Sequence, residues 1–160
     1  MKEKLLKLLY DNAKYTVKDL ATMLGVSEAE VASEISALEK EGVICGYKTL
    51  LNWEKLSSSY LTALIELKVT PQKDAGFDQI AEKILAFDEV ESLYLMSGGF
   101  DFTVIVRGDS FQQVAKFVGS CLAPMENVIS TATHFVLRRY KEMNVNMTLV
   151  KSDDRRTMSF

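Results

Sequence analysis

Hydrophobic positions change rhythm about a third of the way along the chain. Up to residue 44 they recur at helical spacing. Leu5, Leu8 and Leu9 share the i, i+3, i+4 face of a helix predicted over residues 2–12. Leu20, Met23 and Leu24 do the same for a helix over Thr16–Leu24, and Val31, Ile35 and Leu38 mark the buried stripe of a third, from Ser27 to about Glu41. Val43–Leu51 reads as extended, a strand or a hinge, and Asn52–Ser59 as a loop and domain boundary. From Tyr60 the rhythm becomes alternation, with Leu61, Ala63, Ile65, Leu67 and Val69 on one side of a strand that Pro71 ends. A helix over Asp74–Phe87 carries Phe77, Ile80, Ala81, Ile84 and Leu85. Strands follow at Val90–Met96 and Phe102–Arg107, then a helix from Ser110 to about Leu122, and a long strand over Val128–Tyr140.

The order β-α-β-β-α-β is the ferredoxin-like split pattern. The fold expected is therefore α+β: an N-terminal helix-turn-helix domain, winged-helix-like, over residues 1–44, and a C-terminal βαββαβ domain over 60–141. An extended hinge over 45–59 joins them, and a tail follows over 142–160. The tail alternates over Asn144–Val150, which suits a further strand. Trp53 is placed to anchor the linker against one of the domains. Leu64 and Ile105 lie on the alternate phase of their strands. Two helices cover only one face of a four-stranded sheet, so an apolar second face predicts sheet-to-sheet or edge-to-edge homodimerisation.

The first helical pair carries the clearest local chemistry. Thr16-Val17-Lys18-Asp19 and Ser27-Glu28-Ala29-Glu30 each read as a capping box, a hydroxyl at the N-cap and an acid three residues later. Only Gly25-Val26 separates Leu24 from the second cap. Two short helices joined by a tight glycine turn form the DNA-reading unit of many regulators.

Net charge is −3, so nothing draws the whole chain toward nucleic acid and any affinity for double-stranded DNA must be local. The third helix carries Glu28, Glu30, Glu34, Glu39 and Glu41 against Lys40. At about 100° per residue, however, the face opposite Val31, Ile35 and Leu38 holds Ala29, Ser33, Ser36, Ala37 and Lys40, small and free of acids. Serines meet donors or acceptors on base edges, and alanine touches a thymine methyl. Phosphate contacts then fall to Lys14, Tyr15, Lys18 and Lys48. The competing reading is a helical unit used for packing or dimerisation.

In the second domain, Ser97-Gly98-Gly99-Phe100-Asp101 links two strands. Two adjacent glycines exceed the needs of a hairpin and let a ligand approach the backbone. Loop N–H groups suit a carboxylate, Asp101 an ammonium group, and Phe100 an effector side chain; Thr131 and Thr133 on the last strand would line the same site. Spacing by itself favours a plain hairpin with a capping aspartate.

The remaining chemistry is sparse. Cys45 and Cys121 are far apart and read as reduced thiols; with a single histidine, His134, no metal site is expected. His134 is expected to be packed or hydrogen-bonded, and Arg138, Arg139 and Lys141 to be solvated or paired. Arg155-Arg156 beside Asp153-Asp154 reads as a flexible tail. No nucleophile triad, phosphate-binding loop or catalytic constellation is present, and no cofactor is implied. No apolar run reaches a membrane span and Met1–Leu6 lacks a signal-peptide pattern, so a cytoplasmic protein is expected.

Leu20-Ala21, Leu24-Gly25-Val26-Ser27, Leu38-Glu39-Lys40-Glu41-Gly42-Val43-Ile44, Gly46-Tyr47 and Ser97-Gly98-Gly99-Phe100-Asp101-Phe102 occur in an order and spacing that resembles the Lrp/AsnC (feast/famine) regulators. The likeness spans residues 2 to about 141, and the last motif matches that family's Gly-x-aromatic-Asp loop. It implies a DNA-binding transcriptional regulator, not an enzyme, built as dimers that assemble into octamers. It also implies a small effector, often an amino acid, bound between effector domains near the glycine loop. The chain departs from the family at Glu34, where an arginine is common. Siroheme decarboxylase subunits look similar, and His134, Arg138, Arg139 and Tyr140 are the residues such a reading would use. An effector-sensing module without DNA binding is the other alternative.

Overall fold

A computed structural model describes residues 1–56, 60–71 and 76–148. Helices α1 (Lys2–Asp11), α2 (Val17–Leu24) and α3 (Glu28–Lys40) build the N-terminal unit. Both capping boxes form. Thr16 Oγ1 accepts from the Asp19 N–H while Asp19 accepts from the Thr16 N–H, and Ser27 and Glu30 repeat the exchange. A left-handed glycine follows α2 and another lies just past α3: Gly25 has φ +69° and Gly42 φ +72°. There an L side chain is strained, which is why the turn after α2 can be this short. The bends bring Leu5, Leu20, Ala21, Val31 and Leu38 into one buried cluster, edged by Ile35 and Ile44.

Val43–Leu51 forms no strand, so of the two readings of this segment the strand fails. Val43, Tyr47, Leu50 and Leu51 are exposed, and none of the sheet ladders includes them. The chain divides into two compact units between Thr49 and Leu50. A 3₁₀ turn at Trp53–Lys55, capped by Asn52, occupies part of the expected loop; Ser57–Ser59 lie outside the described residues.

The second unit runs β1 (Leu61–Val69), α4 (Asp78–Leu85), β2 (Val90–Leu95), β3 (Phe102–Gly108), α5 (Phe111–Phe117), a π turn (Val118–Leu122) and β4 (Val128–Phe135). The four strands pair antiparallel in the order β2-β3-β1-β4. Ala63, Ile65, Leu67, Phe102, Val104 and Val106 project from one face onto Ile80, Ile84, Val114, Phe117 and Leu122. The first helix is shorter than its periodicity suggested, beginning at Asp78; residues 72–75, including the expected start at Asp74, lie outside the described residues. Leu85, expected on its apolar stripe, is exposed.

The last strand also stops early, at Phe135 rather than Tyr140. Val136 N–H still donates to Thr62 O, but the β1–β4 ladder ends at Ala63 opposite Phe135, and residues 137–140 have no part in it. A short hairpin follows, β5 (Lys141–Glu142) and β6 (Val145–Asn146), turning through Met143 and Asn144 at positive φ. This is the strand expected in the tail; Val150 and the Asp153–Arg156 charges lie outside the described residues.

The uncovered face is narrower in apolar content than alternation implied. Leu64 and Ile105 sit opposite each other and are half-buried. Around them stand Thr62, Glu66, Thr103 and His134, with His134 Nε2 3.3 Å from Glu66 Oε1. Trp53 stacks on Tyr60 at 4.3 Å between centroids, and the Arg107 guanidinium lies over both rings while pairing with Glu91. The linker's tryptophan is thereby fastened to the second unit.

Candidate DNA-reading face and effector loop

Three of the five glutamates in and just after α3 are engaged by other groups of the helical unit. Glu30 is committed to the Ser27 cap. Glu39 Oε1 accepts from the Tyr47 hydroxyl at 3.0 Å, and Glu41 Oε2 pairs with Lys2 Nζ at 2.9 Å. Glu34 adds to the field that, after the Glu41 hydrogen bond, holds the Lys2 pKa above its ordinary value. Ala29, Ser33, Ser36, Ala37 and Lys40 are all exposed, as are Lys14, Lys18 and Lys48. Tyr15 differs: its ring packs against the helical core, so only part of it is available for a phosphate. Sequence reasoning missed Lys2 and Tyr47. Neither carries a local signal, because Lys2 meets an acid 39 residues away and Tyr47 one across the Gly42 turn.

The capping acids give the unit an acid-sensitive stability. Hydrogen bonds from Thr16 lower the Asp19 pKa, and hydrogen bonds from Ser27 lower that of Glu30. A depressed folded pKa stabilises above the ordinary carboxylate range, and that contribution is lost as pH falls through the folded values. Helix-unit stability should therefore drop below about pH 4. The Asp19→Asn, Glu30→Gln double variant should be less stable at pH 7 and show a flatter acid limb, read by amide exchange at Leu20 and Val31. An acid limb as steep as the parent's would exclude the caps as its source.

In the second unit, Gly98 takes φ +138°, a backbone region that favours glycine. Gly99 does not need its freedom: its φ lies outside that region and nothing stands within 4 Å of where a Cβ would be. The fold alone thus explains one glycine of the pair. Asp101 is tied at three points. Its N–H donates to Leu67 O at 2.9 Å, its carbonyl accepts from Met96 N–H at 2.7 Å, and its Oδ2 accepts from Val69 N–H at 2.8 Å. Gly98, Gly99, Phe100 and Asp101 therefore form one closed loop, exposed at the glycines and half-buried at Phe100.

Thr131 and Thr133 do not join that loop within one chain. They pair with Leu67 and Ile65 across β1, on the side opposite β3, and share the helix-covered face. Two strand spacings, about 10 Å, separate them from the line of β3.

A cavity of about 360 Å³ lies elsewhere in this unit, lined among others by Trp53, Tyr60, Arg138, Arg139 and Met147. Its arginines are engaged: Arg139 donates to Thr62 and pairs with Glu142 at 2.8 Å, while Arg138 lies over the Tyr140 ring and 3.9 Å from Glu54. His134 is not among its lining residues, so the groups a tetrapyrrole site would use are not gathered. No set of three or more metal-ligating side chains converges among the described residues, and no helix there is long and apolar enough to cross a membrane.

Comparison with known proteins gives a consistent result for both units. Residues 62–145 match the family model described as the Lrp/AsnC ligand binding domain, and residues 1–44 match a winged helix-turn-helix DNA-binding model. The chain is 44% identical over 138 residues to the HTH-type transcriptional regulator YugG of Bacillus subtilis, covering 86% of this chain and 83% of that one. It is 31% identical over 141 residues to the leucine-responsive regulatory protein of Haemophilus influenzae, covering 88% and 84%. Among solved structures, transcriptional regulator NMB0573 of Neisseria meningitidis, crystallised as a complex with L-Met, superposes with TM-score 0.71 at 24% identity, covering 88% of this chain and 90% of that one. At that identity the superposition speaks for the fold.

Proposed function

This chain belongs to the Lrp/AsnC family of DNA-binding transcriptional regulators, and we propose that it reads a specific operator through α3 under control of a small amino acid. The observation that carries the DNA reading is how the acids of α3 are engaged. Three of the five glutamates in and just after α3 are engaged by a cap, a tyrosine or Lys2, and the exposed face keeps Ser33, Ser36 and Lys40 beside Ala29 and Ala37. Lys14, Lys18 and Lys48, with the edge of Tyr15, supply phosphate contacts.

Gly98, Gly99, Phe100 and Asp101 form the effector loop, supported by the glycine at 99 that the fold itself does not require. Thr131 and Thr133 complete the site from a second copy, since within one chain they lie beyond β1. The protein acts as a homodimer that assembles further, to an octamer, in the cytoplasm; the half-buried Leu64–Ile105 pair on the uncovered face supports association. The family's named relatives are transcriptional regulators, and the reading assigns no enzymatic activity.

The test is a titration of purified protein against duplex from upstream of its own gene and against a scrambled duplex. Salt is fixed and stated, since affinity depends steeply on it. L-methionine, L-leucine and then the remaining amino acids are added in turn. Preferential binding to the upstream duplex, altered by one amino acid, is expected. Equal binding to both duplexes under every condition would overturn the proposal.

A further inference from the structure

We propose that Asp101 is a positioning residue of the effector loop, and that its side chain serves as a hydrogen-bond acceptor rather than as the anionic partner of an effector's ammonium group. The inference rests on the reading of Gly98–Asp101 as an effector loop and refines the role of one of its members.

β1 is flanked by two ladders. Its pairing with β4 is regular from Ala63 to Lys68, then slips: Lys68 faces Ser130 but Val69 faces Val128, leaving Ile129 as an extra residue. Pairing with β3 ends one step earlier, at Leu67 opposite Phe102. Val69 is nevertheless buried, at 5% exposure. Its N–H points to the β3 side, like the Leu67 carbonyl that takes the Asp101 N–H, and lies past the end of that ladder, where a buried N–H without an acceptor is costly. Asp101 Oδ2 supplies that acceptor at 2.8 Å.

The same residue closes the loop. Its N–H on Leu67 O and its carbonyl on the Met96 N–H bracket Ser97–Phe100 between β2 and β3. Rotating the Asp101 side chain toward a ligand would release Val69 and loosen β1 where the loop is anchored. The carboxylate is thus committed before any effector arrives. Loop N–H groups around Gly98 and Gly99 are left to meet the effector's carboxylate. The ammonium group is met elsewhere, by hydroxyl or carbonyl acceptors.

Substitution separates the two roles. Asparagine keeps an oxygen that can face Val69 N–H but carries no charge, whereas alanine removes the acceptor. The experiment compares parent, Asp101→Asn and Asp101→Ala full-length chains by amide hydrogen exchange at Val69, and by calorimetric titration with L-methionine, L-leucine and the other amino acids.

Val69 protection retained in D101N and lost in D101A is expected, with D101N binding within about threefold of the parent. D101A should bind at least tenfold more weakly, the scale of one hydrogen bond to a charged group. Val69 exchanging equally in parent and D101A would overturn the proposal. So would D101N losing affinity as fully as D101A while Val69 stays protected, because charge would then be the operative property. If the parent binds no amino acid, the amino-acid reading of the site fails, and the Val69 comparison still decides whether Asp101 holds the loop.

Discussion

Replacing Ser33 and Ser36 together with alanine should abolish most of the preference for the operator while leaving general DNA affinity in place. Each good base contact is worth about 1–3 kcal/mol of discrimination. Loss of two, about 2–6 kcal/mol if additive, should weaken specific binding by roughly thirtyfold or more. Both side chains are exposed on α3 and lie away from Val31 and Leu38, and alanine is the better helix former, so the fold should be kept. The scrambled duplex is held by Lys14, Lys18 and Lys48 through phosphates, and its affinity should not change. Lys18→Ala makes the contrasting case: it should weaken both duplexes alike and reduce the slope of log K against log salt by about 0.9. The measurement is the ratio of the two dissociation constants at one salt concentration. An unchanged ratio in the double variant would show that α3 does not read bases through this face.

That face was legible in the sequence because it depends on local rules. The 100° period placed Val31 and Leu38 inside and Ser33 and Ser36 outside, and two capping boxes fixed where the helices begin. What was not legible is how the acids of α3 are occupied. Glu41 meets Lys2 and Glu39 meets Tyr47 only after the Gly25 and Gly42 turns have folded the chain back. The ferredoxin-like order was readable for the same local reason as the helices: alternation in β1 and β3 is nearly unbroken. Strand ends were not. The last strand continues in pattern to Tyr140, but its ladder with β1 ends at Phe135, with one further bond from Val136 to Thr62, and that end leaves no mark in the alternation. The effector loop shows the same division. Gly98-Gly99 marks it in the sequence, whereas the Asp101 bond to Val69 spans 32 residues and depends on where the β1–β3 ladder ends, which no periodicity announces. The separation of Thr131 and Thr133 from that loop is likewise a property of strand order, not of spacing.

Phe102→Ala should be the most damaging single truncation beneath the effector loop. Phe102 is 2% exposed, opens β3 directly after Asp101, and stands between Leu67 and Leu95 in the sheet. Its ring meets Phe77 edge-on at 5.8 Å, just ahead of α4. Truncating a buried phenylalanine costs about 3–5 kcal/mol through lost burial and the cavity left behind. Whole domains are stable by only about 5–15 kcal/mol, so this unit would be brought close to its limit. A fall of at least about 10 °C in its unfolding temperature is expected. The helical core of Leu5, Leu20, Val31 and Leu38 is a separate cluster, so its amide protection should be unchanged. Leu20→Ala should produce the reverse pattern, costing about 2–5 kcal/mol in the helical unit. Residue-resolved hydrogen exchange on both variants is the measurement, since a single melting temperature does not describe a chain with two cores. Protection falling in both units of either variant, by the same amount, would mean that the two cores unfold as one cooperative body. In that case an effector at the loop has a direct thermodynamic route to the DNA-reading helix. If each core responds alone, the signal must instead pass through the residues that join them, Cys45 to Tyr60, where Trp53 is already clamped by Arg107 and Tyr60.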